Sequence, residues 1–204
     1  MICPCSGIYA ITQTENKSAE QVISDVTAAL KGGINLLQYR DKKPSDAMFL
    51  AGALKELCHS YHVPLIINDH IDLAKQIGAD GVHIGQEDGL LSEARRVLGN
   101  NAIIGISCYN NIERALEAEQ QSADYVAFGR FFPSSSKPLA APAQLSTLKI
   151  AKAKIKIPIV AIGGVLPSNG AELLDSGADL LAVIGGLFDE NPYQSTLAYQ
   201  ALFK

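Results

Sequence analysis

Residues 65–88, LIINDHIDLAKQIGADGVHIGQED, constrain this chain more than any other stretch. Two apolar runs, 65–67 and 82–84, are each too short for a helix. The segment between them carries Ile71, Leu73, Ala74 and Ile77 at helical spacing. That pattern reads as a β-α-β unit. Parallel neighbours send their C-terminal ends to one rim, so Asn68, Asp69 and Asp88 emerge together. Carboxylates on adjacent strand ends suit a hard divalent cation such as Mg²⁺. Equally, Asp69 would cap the next helix and Asp88 would start the one after.

The same unit recurs along the chain. Strand-like runs are expected at 7–11, 36–40, 65–67, 82–84, 102–107, 125–129, 159–162 and 180–184. Helical segments fall at 18–31, from 44 onward, 71–77, 90–98, 112–121, up to 154, at 169–176 and at 192–202. Most strands are continuous apolar runs, as expected when helices cover one face and a core the other. No linker or shift in composition interrupts the 204 residues, which predicts a single α/β domain over 1–204. Eight such units predict a (β/α)₈ TIM barrel with its site at the strand C-termini. A doubly wound open sheet is the alternative, but its dinucleotide fingerprint is missing. The phrase Gly78-Ala79-Asp80 returns as Ser122-Ala123-Asp124 and Gly177-Ala178-Asp179, each time just before a strand. It reads as scaffold that closes a helix and enters the next strand.

A net charge of −4 supplies no basic footprint for nucleic acid or for a membrane surface. No apolar run reaches the length of a membrane span, and the first residues lack the pattern of a signal peptide. Cys3, Cys5, Cys58 and Cys108 have no zinc-ligand spacing. They are expected to be unpaired thiols of a cytoplasmic protein.

The expected strand ends hold polar residues that packing does not require. After the second strand comes Gln38-Tyr39-Arg40-Asp41-Lys42. Alternation puts Gln38, Arg40 and Lys42 on one face, a set suited to a pyrophosphate. An ordinary basic strand end neutralised by Asp41 is the plainer reading. The fifth strand ends in Ser107. The sixth leads into Ser134-Ser135-Ser136-Lys137, which is either an oxyanion site or a linker. Gly163-Gly164 and Gly185-Gly186 follow the seventh and eighth strands, where backbone amides of this fold approach phosphate.

Read in order, QYRDK, ND, GQED, GIS, PSSSK, IGG and the glycine-containing end of the eighth strand resemble the thiamine-phosphate synthase family. The resemblance runs from Gly7 to about Leu187. It implies a transferase in which a hydroxymethylpyrimidine diphosphate and a thiazole monophosphate give thiamine phosphate and pyrophosphate. By that resemblance Gln38, Arg40, Lys42 and Asn68 bind the pyrimidine diphosphate, with Tyr39 and Asp41 in the same run. Asp69 and Asp88 hold Mg²⁺. Ser107 and Lys137 touch the pyrimidine and its departing pyrophosphate, with Arg40 and Lys42 also stabilising the anion. Ser134, Ser135 and Ser136 meet the thiazole phosphate, together with Gly164, Ile184 and Gly185. The implied path is dissociative, through a pyrimidine cation.

Three positions depart from the family pattern. Serines stand at 134–136 where threonines are frequent. His70 stands where a second acid often follows the metal aspartate, and Gly185 where a serine is usual. His83 reads as a packed, hydrogen-bonded core residue, and His59 and His62 as surface residues at a helix end. Two other functions fit less of the pattern. A thiazole tautomerase shares the fold but uses a histidine after the sixth strand and lacks much of the diphosphate and metal set. A non-catalytic thiazole-phosphate-binding regulator would need no metal.

Overall fold

The computed structural model describes residues 1–85, 91–133 and 142–203. The eight strands are β1 (Gly7–Ile11), β2 (Leu36–Tyr39), β3 (Leu65–Asn68), β4 (Gly81–Ile84), β5 (Ile103–Tyr109), β6 (Tyr125–Gly129), β7 (Ile159–Ile162) and β8 (Leu180–Val183). All pair in parallel, in sequence order, and β8 returns to β1 to close a barrel. Around it lie α1 (Ala19–Gly32), α2 (Ala47–Ser60), α3 (Ile71–Ile77), α4 (Leu91–Leu98), α5 (Ile112–Gln120), α6 (Leu145–Lys154), α7 (Gly170–Asp175), α8 (Gly185–Phe188) and α9 (Pro192–Gln200). The predicted (β/α)₈ barrel is the observed fold.

Local chemistry sets the boundaries. Ser18 and Gln21 form a reciprocal capping box at the start of α1, and Gly33 ends that helix at φ 98°. For α2 the expected start at Pro44-Ser45 gives way to Asp46, whose carboxylate accepts from the Phe49 amide at 2.9 Å. β5 runs two residues beyond Ser107, through a register shift against β6. The four-residue α8 was not anticipated, because two glycines after a strand carry no helical pattern.

Alternation along the strands divides the apolar residues into two cores. The inner one holds Tyr9, Ile11, Leu36, Ile66, Ile103, Tyr125, Val160 and Leu180. The outer one, between sheet and helices, includes Ile8, Leu37, Ile67, Val82, Ile104, Val126, Ala161 and Leu181. Each strand except β4 therefore contributes to both, and β4 turns Gly81 and His83 inward instead, which is why most runs read as continuously apolar.

The recurring aspartates have a definite structural task at the N-terminal rim. Asp80, just before β4, accepts from the Leu65 amide of β3 at 2.9 Å. Asp124, before β6, accepts from Ile104 of β5 at 2.8 Å, and Asp179, before β8, from Ile159 of β7 at 3.0 Å. Asn35 does the same for Ile8 of β1 at 2.9 Å. Each even-numbered strand thus carries a side-chain clasp to the odd-numbered strand before it. Arg95 reinforces Asp124 at 2.8 Å and Lys152 reinforces Asp179 at 2.5 Å. His59, at the end of α2, lies 2.8 Å from Asp80.

Candidate active site

The C-terminal rim opens into one cavity lined from every strand. Gln38 and Arg40 reach it from β2, Asn68 and Asp69 from β3, His83 and Gly85 from β4, and Ser107 and Tyr109 from β5. Arg130 enters from the segment after β6, Gly163 and Gly164 from the turn after β7, and Ile184, Gly185 and Gly186 from the end of β8. Of the residues expected at the site, Gln38, Arg40, Asn68, Asp69, Ser107, Gly164, Ile184 and Gly185 are brought together here.

Three members of the second strand end are not. β2 stops at Tyr39, so the alternation that aligns Gln38 with Arg40 does not continue to Lys42. Lys42 is exposed and does not border the cavity. Tyr39 points the opposite way from its neighbours and is buried in the outer core at 3% exposure. Together with Asp41 it borders a separate depression between α2, α3 and α4. Burial, reinforced by Asp41 and Asp46, pushes the Tyr39 phenol up to about 12. Asp88, Ser134, Ser135, Ser136 and Lys137 lie outside the described residues.

Asp69 owes its position to an unusual backbone. Its φ is 62°, in the left-handed region that Asp tolerates better than most residues. Its amide donates to the His83 carbonyl at 2.9 Å, tying the end of β3 to β4. The Asn68 side-chain amide donates to the Asp69 carboxylate. The next residue, His70, is exposed and makes no side-chain cap to α3. Among the described residues no three acidic, histidine or cysteine groups cluster as a metal site. The hard oxygens facing the cavity at this point are those of Asp69.

The glycines after β7 are there for space as well as φ. Gly163 and Gly164 have φ 100° and 65°. A side chain on Gly164 would run into the Pro133 carbonyl, and Phe132 donates its amide to the Gly163 carbonyl at 3.0 Å. Asn169 donates to the Gly164 carbonyl at 3.1 Å, so the turn is braced from both sides. At Gly185, a Cβ would lie 2.6 Å from an oxygen of Asp189, which also borders the cavity. The carboxylate of Asp189 therefore occupies the room that a side chain at 185 would use.

Residues not expected at the site complete it. His83 is indeed buried and hydrogen-bonded, at 8% exposure, but it faces the cavity from inside the barrel. Its Nε2 is 2.9 Å from Ser107 Oγ. Arg130 adds a cation, and Tyr9 forms part of the floor. Arg114, on α5, donates from Nε to the Ser107 carbonyl at 2.8 Å and from a terminal nitrogen to the Gly85 carbonyl at 3.3 Å. It pins the ends of β4 and β5 to each other. Its spacing on an amphipathic helix gave no hint of this.

A closed parallel barrel with a cavity at its C-terminal rim, lined by Gln38, Arg40, Asn68 and Asp69 among others, is the architecture of a (β/α)₈-barrel enzyme acting on small molecules. A family model described as thiamine monophosphate synthase matches residues 8–187. The chain belongs to that family. It is 53% identical to a thiamine-phosphate synthase of Saccharophagus degradans over 188 residues, covering 90% of this chain and 87% of that one. It is 47% identical to the thiamine-phosphate synthase of Nitrosococcus oceani, covering 94% and 89%. A thiamine phosphate pyrophosphorylase structure from Pyrococcus furiosus superposes with a TM-score of 0.87 at 33% identity, covering 96% of this chain and 94% of that one.

Proposed function

We propose that this chain is a transferase that joins a hydroxymethylpyrimidine diphosphate to a thiazole monophosphate, giving thiamine phosphate and releasing pyrophosphate. The observation that carries this reading is the convergence of Gln38, Arg40, Asn68, Asp69 and Ser107 on one cavity, in a chain of this family. An amide, a guanidinium, a carboxylate and a hydroxyl are what a diphosphate with a divalent cation requires.

In this reading Gln38 and Asn68 orient the pyrimidine diphosphate. Arg40 holds its phosphates at the cavity, and Lys137 is proposed as a further cation for them; Lys42, off the cavity, would act only at longer range. Asp69 and Asp88 are the proposed ligands of Mg²⁺. The fit rests on Asp69, whose carboxylate borders the cavity, because Mg²⁺ takes one or two carboxylates alongside substrate phosphates. When bound, the cation adds positive charge beside the departing pyrophosphate. The chain's own cations do the same as the carbon–oxygen bond breaks. Ser107 supplies a hydroxyl at that oxygen. Gly164, Ile184 and Gly185, with Ser134, Ser135 and Ser136, hold the thiazole phosphate so that the ring nitrogen meets the pyrimidine methylene. Free thiols at Cys58 and Cys108, both buried, support a reducing cytoplasmic setting.

The tautomerase reading would need a histidine after β6. The four histidines are His59, His62, His70 and His83, none of them there. The test is a two-substrate assay with pyrophosphate as the readout, with and without Mg²⁺. Release of pyrophosphate only when both substrates and the cation are present supports the reading. No release under any of these conditions would refute it.

A further inference from the structure

Five polar side chains form an unbroken line across the barrel interior, through β2, β1, β6, β4 and β5. Gln38 Nε2 donates to Tyr9 Oη at 2.6 Å, and Tyr9 Oη lies 2.6 Å from Tyr125 Oη. Tyr125 Oη is 3.0 Å from His83 Nδ1, and His83 Nε2 is 2.9 Å from Ser107 Oγ. Packing alone gives no reason for this line, since an apolar layer would avoid the cost of burying polar groups.

The proton count gives the line a direction. Each phenol has one proton to donate. The Tyr9 oxygen already accepts from Gln38, so its proton goes to Tyr125. Were Tyr125 to donate to Tyr9 instead, the Tyr9 proton would be stranded between rings that are at most 1% exposed. A buried donor without an acceptor is the costly arrangement. Tyr125 therefore donates to Nδ1 of His83, the imidazole carries its proton on Nε2, and that proton goes to Ser107 Oγ. The Ser107 hydroxyl, its oxygen engaged from behind, has its own proton left to give toward the cavity.

We propose that Tyr125, acting through His83, is a positioning residue that fixes Ser107 as a hydrogen-bond donor toward the pyrimidine diphosphate. The identity of the acceptor rests on the reaction proposed above; the direction of the line does not. A donor is what the breaking bond needs, because negative charge grows on the departing oxygen. A serine hydroxyl without this constraint could turn to accept, and would then offer that oxygen nothing. The rings hold the geometry: Tyr125 lies stacked on His83, with centroids 5.6 Å apart at 19°, and edge-on to Tyr9 at 90°. Burial raises both phenols above their ordinary range, so the hydroxyl protons persist at every working pH.

The test has two arms. Nitrogen-15 NMR of histidine-labelled protein, with His83 assigned by its loss in His83→Gln, should show a one-bond N–H coupling at Nε2 and none at Nδ1. A proton on Nδ1 overturns the proposal, whatever the activity. In the second arm, Tyr125→Phe keeps the ring but removes the hydroxyl. It should lower kcat for pyrophosphate release about tenfold, equivalent to ~1.4 kcal/mol, leave KM for the thiazole phosphate within about twofold, and put proton density on Nδ1. Wild-type kcat in this variant, or an unchanged His83 tautomer, overturns the proposal. If wild-type protein turns over neither substrate, the proposed reaction fails, and the NMR arm still decides the direction of the line.

Discussion

Gly105→Ala tests how tightly the interior is built, because it adds one methyl at the most crowded point of β5. A Cβ there would collide with Cζ, Cε2 and Oη of Tyr125, and Tyr125 is fully buried. Two effects compete. Replacing glycine by alanine narrows the unfolded ensemble and by itself favours folding by about 0.4–1 kcal/mol. Gly105 does not need a positive φ, so this gain is available. Against it stands overpacking, about 1–3 kcal/mol in a close-packed core. Moving the Tyr125 ring also stretches its bonds to Tyr9 and His83, about 1 kcal/mol for each one lost. The penalty wins, leaving a net loss of about 2 kcal/mol. In a chain of this size that lowers Tm by roughly 4–8 °C. Thermal denaturation followed by circular dichroism, with urea midpoints as a check, measures it. Partial recovery in Gly105→Ala combined with Tyr125→Leu would locate the clash, since contacting sites are not additive. A Gly105→Ala variant at or above wild-type stability would refute the reasoning.

Other expectations are simpler. Asp69→Asn should cut turnover at least about tenfold and raise the Mg²⁺ needed for half-maximal rate, with little change in Tm; wild-type activity in excess chelator would count against the assignment. Lys137→Ala should lower kcat by more than it raises KM for the pyrimidine diphosphate, as steady-state kinetics will show. Asp124→Ala leaves the Ile104 amide without its side-chain acceptor and should cost about 1–3 kcal/mol in urea denaturation with kcat unchanged. Burial pushes the Cys58 and Cys108 thiols from 9.0 up to about 12. Below pH 9 both states are protonated; above it the unfolded chain ionises first, so stability should fall between pH 9 and about 12. Urea midpoints at pH 8 and pH 10 measure the drop.

The fold was legible because parallel strands covered on both sides write themselves as short apolar runs, and the helices between them keep a clear period. The rim was legible where a strand simply ended in polar residues, as at Asn68 and Asp69; Ser107 faces the cavity two residues before the end of β5. Lys42 lies off the cavity because β2 ends at Tyr39, three residues before it, so strand alternation does not carry that far. His83 was read correctly as buried and bonded, yet its role at the cavity was missed. The available signal was its place between Gly81 and Gly85 on the inward face, where small neighbours leave a polar side chain room. Tyr9 and Tyr125 hid among apolar residues because aromatic rings count as core, and nothing in one strand reveals a hydroxyl partner on another. Gly105, in mid-strand, was the one local sign that a large ring crosses there.

The clasps at the N-terminal rim join the strands two by two: β1 with β2, β3 with β4, β5 with β6 and β7 with β8. Each quarter of the barrel is thus latched from within, by residues close in sequence. The polar line beneath the cavity runs the other way. Gln38, Tyr9 and His83 come from the first half of the chain, and Tyr125 and Ser107 from the second. Construction is a local affair repeated four times over, whereas the orientation of the Ser107 hydroxyl belongs to no quarter and to neither half. In the proposed reading the orientation of that serine is accordingly a property of closure, because the line exists only where strands of both halves meet.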